Sequence, residues 1–227
     1  VFRGLGDHQF KLIPSIGRHP TYAPTQEMAV LELFKRRMPE FLQDSDLSAL
    51  DRLAMAQHHG IPTRLLDWTT NPLVAAYFAV TSSPGPRTVR LVRPGGRLEK
   101  RDIAATPQPT EIPARLVATK ARAAMSLAAT DDPFAIDQIR LWWPRSVTRR
   151  IPNQAGLFSV HPNPSEPWEA PLREEDHVFD IPGPMRAFFR RKLFYLGVDP
   201  QRIMGGLDGL GERIDWQYRA RIGLGAL

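Results

Sequence analysis

Gln57-His58-His59-Gly60-Ile61-Pro62-Thr63-Arg64-Leu65-Leu66-Asp67-Trp68-Thr69 is the stretch on which the fold turns. Upstream of it, Leu47, Leu50, Leu53 and Ala54 recur at helical spacing, which predicts a helix over 46–58 that Gly60-Ile61-Pro62 ends. Residues 64–69 then read as a short extended piece. Asn71-Pro72 supplies a cap and a proline at the first helical position. The helix it opens, 73–80, is apolar nearly all round and is expected to be central. The stretch therefore sets amide, imidazole, guanidinium, carboxylate, indole and hydroxyl groups around one helix-to-strand turn beside a buried helix. Polar groups packed against a core must be satisfied, as a structural network or as a site.

Outward from this centre, Met28, Leu31, Phe34, Met38 and Phe41 predict an amphipathic helix over 25–42, capped by Thr25, with Lys35, Arg36 and Arg37 outside. Residues 2–12 read as an extended opening with a turn at Gly4-Leu5-Gly6-Asp7. Strand patterns recur at 87–92, 138–143 and 156–161. An alanine-rich helix is expected over 115–128, inside a 98–133 stretch that otherwise reads as insert or loop. A basic helix over 183–197 and a helical region over 199–221 close the chain. Strands mixed irregularly with helices predict an α+β fold, a split mixed or antiparallel β core flanked by the 25–42 and 73–80 helices. The expected organisation is an α+β domain over 1–182 with a C-terminal helical extension, 183–227, packed on it.

Composition excludes several classes. With 227 residues, 42% of them hydrophobic and 24% charged, the chain is globular rather than disordered, collagenous or rod-like. It has no cysteine, so disulfides and thiolate metal sites are out. No apolar run spans a bilayer and no signal peptide opens the sequence, so a soluble, cytoplasmic protein is expected. The start inside a motif, Val1-Phe2-Arg3-Gly4, suggests a preceding segment. A net charge of +6 permits an anionic partner. Arginine outnumbers lysine 25 to 5, and its planar fork grips phosphate in two-point fashion, although a GC-rich genome produces the same excess.

The central stretch, followed by Pro72, Ala75, Ala76, Tyr77, Phe78 and Ala79, resembles the signature of the FRG family, whose opening Phe-Arg-Gly stands here as Phe2-Arg3-Gly4. Leu12-Ile13-Pro14-Ser15 with Arg18, the helix containing Phe34, Arg150, Gln154-Ala155-Gly156-Leu157-Phe158, Leu196-Gly197 and Leu207-Asp208-Gly209-Leu210 are similar to the same pattern. Leu5, where the family commonly has glutamine, and the 98–133 stretch depart from it. The resemblance implies a toxin or antiphage effector, with a cognate antitoxin or immunity partner.

A second resemblance is to ADP-ribosyltransferases of the arginine-serine-glutamate type. Val1-Phe2-Arg3-Gly4 looks like their opening strand, and Trp68-Thr69-Thr70 before Ala75, Ala76 and Phe78 looks like their hydroxyl strand and helix. Gln154 stands in the slot of their catalytic glutamate. This likeness implies an ADP-ribosyltransferase-like fold and NAD as substrate, with a nucleic acid or protein as acceptor. It implies Arg3 and Gly4 on phosphate or ribose, Thr69 on the nicotinamide ribose, Trp68 or Tyr77 over the ring, and Gln154 orienting ribose or acceptor. The glycosidic bond of NAD breaks through an oxocarbenium-like state, which a carboxylate stabilises. Gln154 cannot supply that charge, which leaves Asp67.

Each residue also has a structural reading. Trp68, Tyr77 and Phe78 fit a core, and Arg64 with Asp67 fits a buried pair as well as a site. His58 is a candidate catalytic residue, and His58 or His59 could serve as the base of a metal-independent nuclease, while the adjacent histidines point apart on a helix and lack a third metal ligand. Arg145, Arg149 and Arg150, and Arg186, Arg190, Arg191 and Lys192, fit either phosphate contacts or solvated faces. The competing function is a non-catalytic nucleic-acid- or nucleotide-binding module.

Overall fold

The computed structural model describes residues 1–41, 46–82, 111–119, 132–145, 149–173 and 177–223. Its strands are β1 (Phe2–Leu5), β2 (Leu65–Thr69), β3 (Ala114–Ala118), β4 (Arg140–Trp142), β5 (Gly156–Val160) and β6 (Val178–Ile181). They form one six-stranded sheet in the order β4-β5-β2-β1-β3-β6, and every neighbouring pair is antiparallel. The fold is thus α+β as expected, and the mixed option falls. The expected helix over 115–128 is corrected as well: Ala114–Ala118 is a strand, its side chains alternating between the faces of the sheet. Residues 120–131, like the strand expected at 87–92, lie outside the described residues.

The helices are α1 (Pro24–Arg37), α2 (Ala49–His58), α3 (Pro72–Thr81), α4 (Arg150–Asn153), α5 (Arg186–Tyr195), α6 (Pro200–Met204) and α7 (Gly206–Arg219). Ala23 rather than Thr25 precedes the first turn of α1, with Pro24 in its first position. Its inner face also differs from the expected stripe. Met28 is 51% and Phe41 81% exposed, whereas Glu27 is buried. A capping box starts α2: Ser48 Oγ accepts from the Asp51 N–H, and Asp51 Oδ2 from the Ser48 N–H. The Asn71 side chain caps α3 by accepting from the Leu73 N–H. The expected helix over 183–197 opens as a 3-10 turn, Gly183–Met185, before α5, and Gly205 and Gly206, both at positive φ, divide the last helical region in two.

One face of the sheet is covered in two halves. Leu65, Trp142, Phe158 and Val160 pack on Leu50, Leu53 and Ala54 of α2. Ala114 and Ile181 pack on Val74, Tyr77 and Val80 of α3, with Leu193 of α5 behind. Loop residues Leu12, Trp168 and Leu172 cover the opposite face, over Leu5, Leu66, Trp68, Val117, Leu141 and Leu157. The halves meet at the narrowest junction of the sheet. Between β1 and β2 the register holds one pair, Phe2 opposite Thr69, while β1 keeps four pairs with β3 and β2 five with β5.

Candidate functional site

Past Phe2 and Thr69 the strands part, and a cavity of about 350 Å³ opens over this seam between α2 and α3. Its wall draws on β1, α2, β2, α3, α4 and β5, so it exists only when both halves of the sheet are joined. Arg3 fills the seam itself. Its Nη1 donates to the main-chain carbonyl of Asp67, a group that a neighbouring strand would otherwise have satisfied. The same nitrogen lies 3.7 Å from Asp67 Oδ2. Burial, then the nearby Arg18 cation, pulls the Arg3 guanidinium below its ordinary pKa, and Asp67 pushes it back up.

Asp67 is the acid of the cavity wall, and its side chain is 63% exposed. Gln57 Nε2 donates to its Oδ1 at 2.8 Å. The wall also includes Arg150, at the start of α4, and His58, the last residue of α2. Burial, then the Arg150 and His59 charges, lowers the His58 pKa, which leaves a neutral imidazole at neutral pH. Phe2, Phe78 and Phe158 supply the apolar wall.

Of the residues singled out in the sequence, Arg3, Gly4, His58, Asp67, Trp68, Thr69 and Gln154 border this cavity although 151 positions separate the first and last. Several are held in ways that narrow what they can do. Thr69 Oγ1 donates to the Gln154 carbonyl at 2.6 Å and accepts from the Asn71 N–H, so its hydroxyl joins β2 to the end of α4. Gln154 Nε2 donates to the Ile203 carbonyl at 3.3 Å, leaving its side-chain oxygen as the available group. The Trp68 indole lies on the far face of the sheet, where Nε1 donates to Ser159 Oγ and the ring stands edge-on to Trp168. Gly4 has no room for a side chain, since a Cβ there would lie 2.0 Å from the Ala75 carbonyl oxygen of α3.

Arg64 and Tyr77 are elsewhere. Arg64 turns away from Asp67 and clasps buried Glu27 with two bonds, at 2.8 and 3.0 Å, so the Arg64–Asp67 pair is replaced by Arg64–Glu27. Tyr77 faces α5 and α7 from the α3 core; burial, then Glu212, raises its pKa and keeps the phenol protonated. The second basic group is used internally. Arg186 is buried on main-chain carbonyls, Arg190 stacks over Trp216 and Arg191 bonds the Ala220 carbonyl.

Gln57 and Arg150 carry more of the site than their sequence context conveyed. Gln57 opens the central stretch, but its bond to Asp67, ten positions on, is not visible in the sequence. Phe2 and Phe158 read as strand residues, and only the parting of the strands turns them toward a cavity.

Residues 1–86 match the family model of the FRG domain, a segment that contains Arg3, Gln57, His58, Asp67 and Thr69 but neither Arg150 nor Gln154. The chain matches no curated protein and no solved structure. Among the described residues, no helix is long and apolar enough to cross a membrane, and no group of three His, Asp or Glu could hold a metal ion.

Proposed function

We propose that the seam cavity binds the nicotinamide-ribose end of NAD and breaks its glycosidic bond, as an ADP-ribosyltransferase or an NAD glycohydrolase. The observation that supports this reading is the arrangement around Asp67: an oriented, solvent-facing carboxylate beside Arg3, in an aromatic-walled cavity that Arg150 also lines. A cavity of about 350 Å³ suits the reacting half of a dinucleotide better than a polymer groove. The two arginines take phosphate oxygens, and the phenyl rings enclose nicotinamide. The bond from ribose C1′ to the ring nitrogen breaks, its electron pair neutralises the nicotinamide ring, and Asp67 faces the positive charge left on the ribose. Water or an acceptor hydroxyl adds to C1′, and its proton passes to Asp67 and on to solvent. The products are nicotinamide, ADP-ribose free or on the acceptor, and a proton.

In this reading Thr69 is a positioning residue, because its hydroxyl is already engaged on both sides. The Gln154 side-chain oxygen orients the ribose or the acceptor, and neutral His58 meets the carboxamide edge. The test is release of free nicotinamide from NAD. Asp67→Asn should lower the rate by on the order of 10²-fold or more. Its melting temperature should stay that of the wild type, since the side chain is mostly exposed. Arg3→Lys keeps a cation but loses the two-point fork, and should raise KM. No nicotinamide from the wild type, together with nucleic-acid binding that weakens steeply with salt, would replace the enzyme with the binding-module reading.

A further inference from the structure

Three polar residues of the central stretch form a chain of hydrogen bonds whose direction is set at its Asp67 end, because a carboxylate only accepts and so turns the Gln57 nitrogen toward itself. It begins at a main-chain N–H, which only donates: Leu65 N–H bonds Thr63 Oγ1 at 3.2 Å. The Thr63 hydroxyl accepts from that amide and donates its own proton to Gln57 Oε1, the amide oxygen that the Gln57–Asp67 bond leaves on this side. The Gln57 amide is then fixed with its oxygen toward Thr63 and its nitrogen toward Asp67, and Nε2 donates to Asp67 Oδ1 at 2.8 Å. Thr63 is buried and Gln57 half-buried, so water competes little for the Leu65–Thr63 and Thr63–Gln57 bonds, while the Gln57–Asp67 bond lies at the exposed end of the chain. Ser15 holds the turn, accepting from the Thr63 N–H at 3.1 Å.

We infer that Gln57 and Thr63 are positioning residues that commit Asp67 Oδ1 to accepting a hydrogen bond and leave Oδ2 as the atom that exchanges a proton during the reaction. The inference rests on the NAD reading for its chemistry and on the directed relay for its geometry. In the addition step, the hydroxyl O–H bond breaks as oxygen joins C1′, and the proton forms its new bond at Oδ2. A proton at Oδ1 would weaken the bond that this oxygen accepts from Gln57 Nε2–H, whereas Oδ2 accepts no hydrogen bond among the described residues and has in contact only the Arg3 cation, 3.7 Å away, set against a proton there. The other charged or titratable groups around Asp67 are Arg3 and Arg18, which interact with it directly, and His58 and Arg150, which line the same cavity.

Gln57→Glu, Thr63→Val and Thr63→Ser test this in the full chain. Gln57→Glu still accepts from Thr63 but sets a second carboxylate against Oδ1, so the acid limb of the pH–kcat profile should move up by about one pH unit. Thr63→Val frees the Gln57 amide to rotate and should lower kcat by roughly tenfold with KM within about twofold, and Thr63→Ser should restore it. A Gln57→Glu profile matching that of the wild type, or equal rates in Thr63→Val and Thr63→Ser, would overturn the inference. If the wild type releases no nicotinamide, the NAD reading fails while the relay is still read by NMR. One Gln57 amide proton should exchange slowly in the wild type and quickly in Asp67→Ala and Thr63→Val. Exchange as fast as in free glutamine in the wild type overturns the relay.

Discussion

Glu27 shows how one residue can be misread when helical periodicity is the only guide. Met28, a step further on, looks like the better inward residue, yet the buried partner that decides the side is Arg64, 37 positions away and equally silent about its contact. Arg64 also donates to the Pro133 and His161 carbonyls and lies over the Phe134 ring, so its guanidinium knits four segments. The Tyr22 hydroxyl donates to Glu27 at 3.0 Å, and burial, then Glu27 itself, pushes the phenol up to about 12. Removing one member of such a pair strands the other charge: Glu27→Gln is expected to cost about 3–5 kcal/mol in urea denaturation. Glu27→Leu with Arg64→Met should recover most of it, and a single variant within about 1 kcal/mol of the wild type would contradict this account. His161 gives a second prediction. It is fully buried against Ser159, and burial, then the Arg3 and Arg64 charges, pulls its pKa down to about 3. An unfolded imidazole titrates near ~6.5, so the unfolded chain binds the extra proton between these values. Above that window both states are neutral and His161 adds nothing. Below ~6.5 the fold loses stability as pH falls, by up to about 1.4 kcal/mol per pH unit, and His161→Gln should remove that part of the slope in a melting series.

At the scale of the element, α3 is where sequence and structure agree best. Asn71-Pro72 and an unbroken apolar run identify a central helix, and α3 indeed crosses the seam, with Gly4 of β1 against its backbone. The reason for Gly4 is a close approach rather than a special backbone angle, which a sequence pattern cannot distinguish. Gly4→Ala would place Cβ 2.0 Å from the Ala75 oxygen and 2.5 Å from the Ala79 nitrogen. Both are main-chain atoms, so the helix must move. A loss above the ~1–3 kcal/mol of ordinary overpacking is expected, together with a changed seam cavity. The far end of α3 was illegible. Arg186, grouped in sequence with Arg190, Arg191 and Lys192, fits a phosphate contact or a solvated face, but it is the buried cap of this helix, donating to the Ala79, Val80 and Ser82 carbonyls and to Gly6. No carboxylate in the sequence announces such a role, because the acceptors are main-chain oxygens. The strand at Ala114–Ala118, where the sequence predicts the start of a helix, has a similar origin: alanine favours a helix locally, but the strand positions are set by Val117 against Arg3 and Ala114 against Ile181.

For the whole molecule, the site is assembled across a boundary that the family match does not cross. Residues 1–86 carry β1, β2 and the three helices α1, α2 and α3, and their two strands share one pair of residues. Each strand finds its real partner later in the chain: β1 on β3, β2 on β5. The apolar faces behave alike. Leu65 and the α2 residues close over Phe158 and Val160, and Val74, Tyr77 and Val80 of α3 close over Ala114, Ile181 and Leu193. Without those later residues a two-stranded remnant would expose both core halves and leave strand amides unpaired. Arg186, which satisfies the end of α3, would also be missing. A fragment of residues 1–86 is therefore expected to lack cooperative unfolding, to show a collapsed amide spectrum by NMR and to bind no nucleotide. Supplying residues 111–223 as a separate chain should restore dispersion and the seam cavity together, because β3 and β5 bring the partners that both strands need. A 1–86 fragment that melts cooperatively on its own would mean that β1 and β2 pair more extensively in isolation, and would overturn the dependence of both strands on β3 and β5.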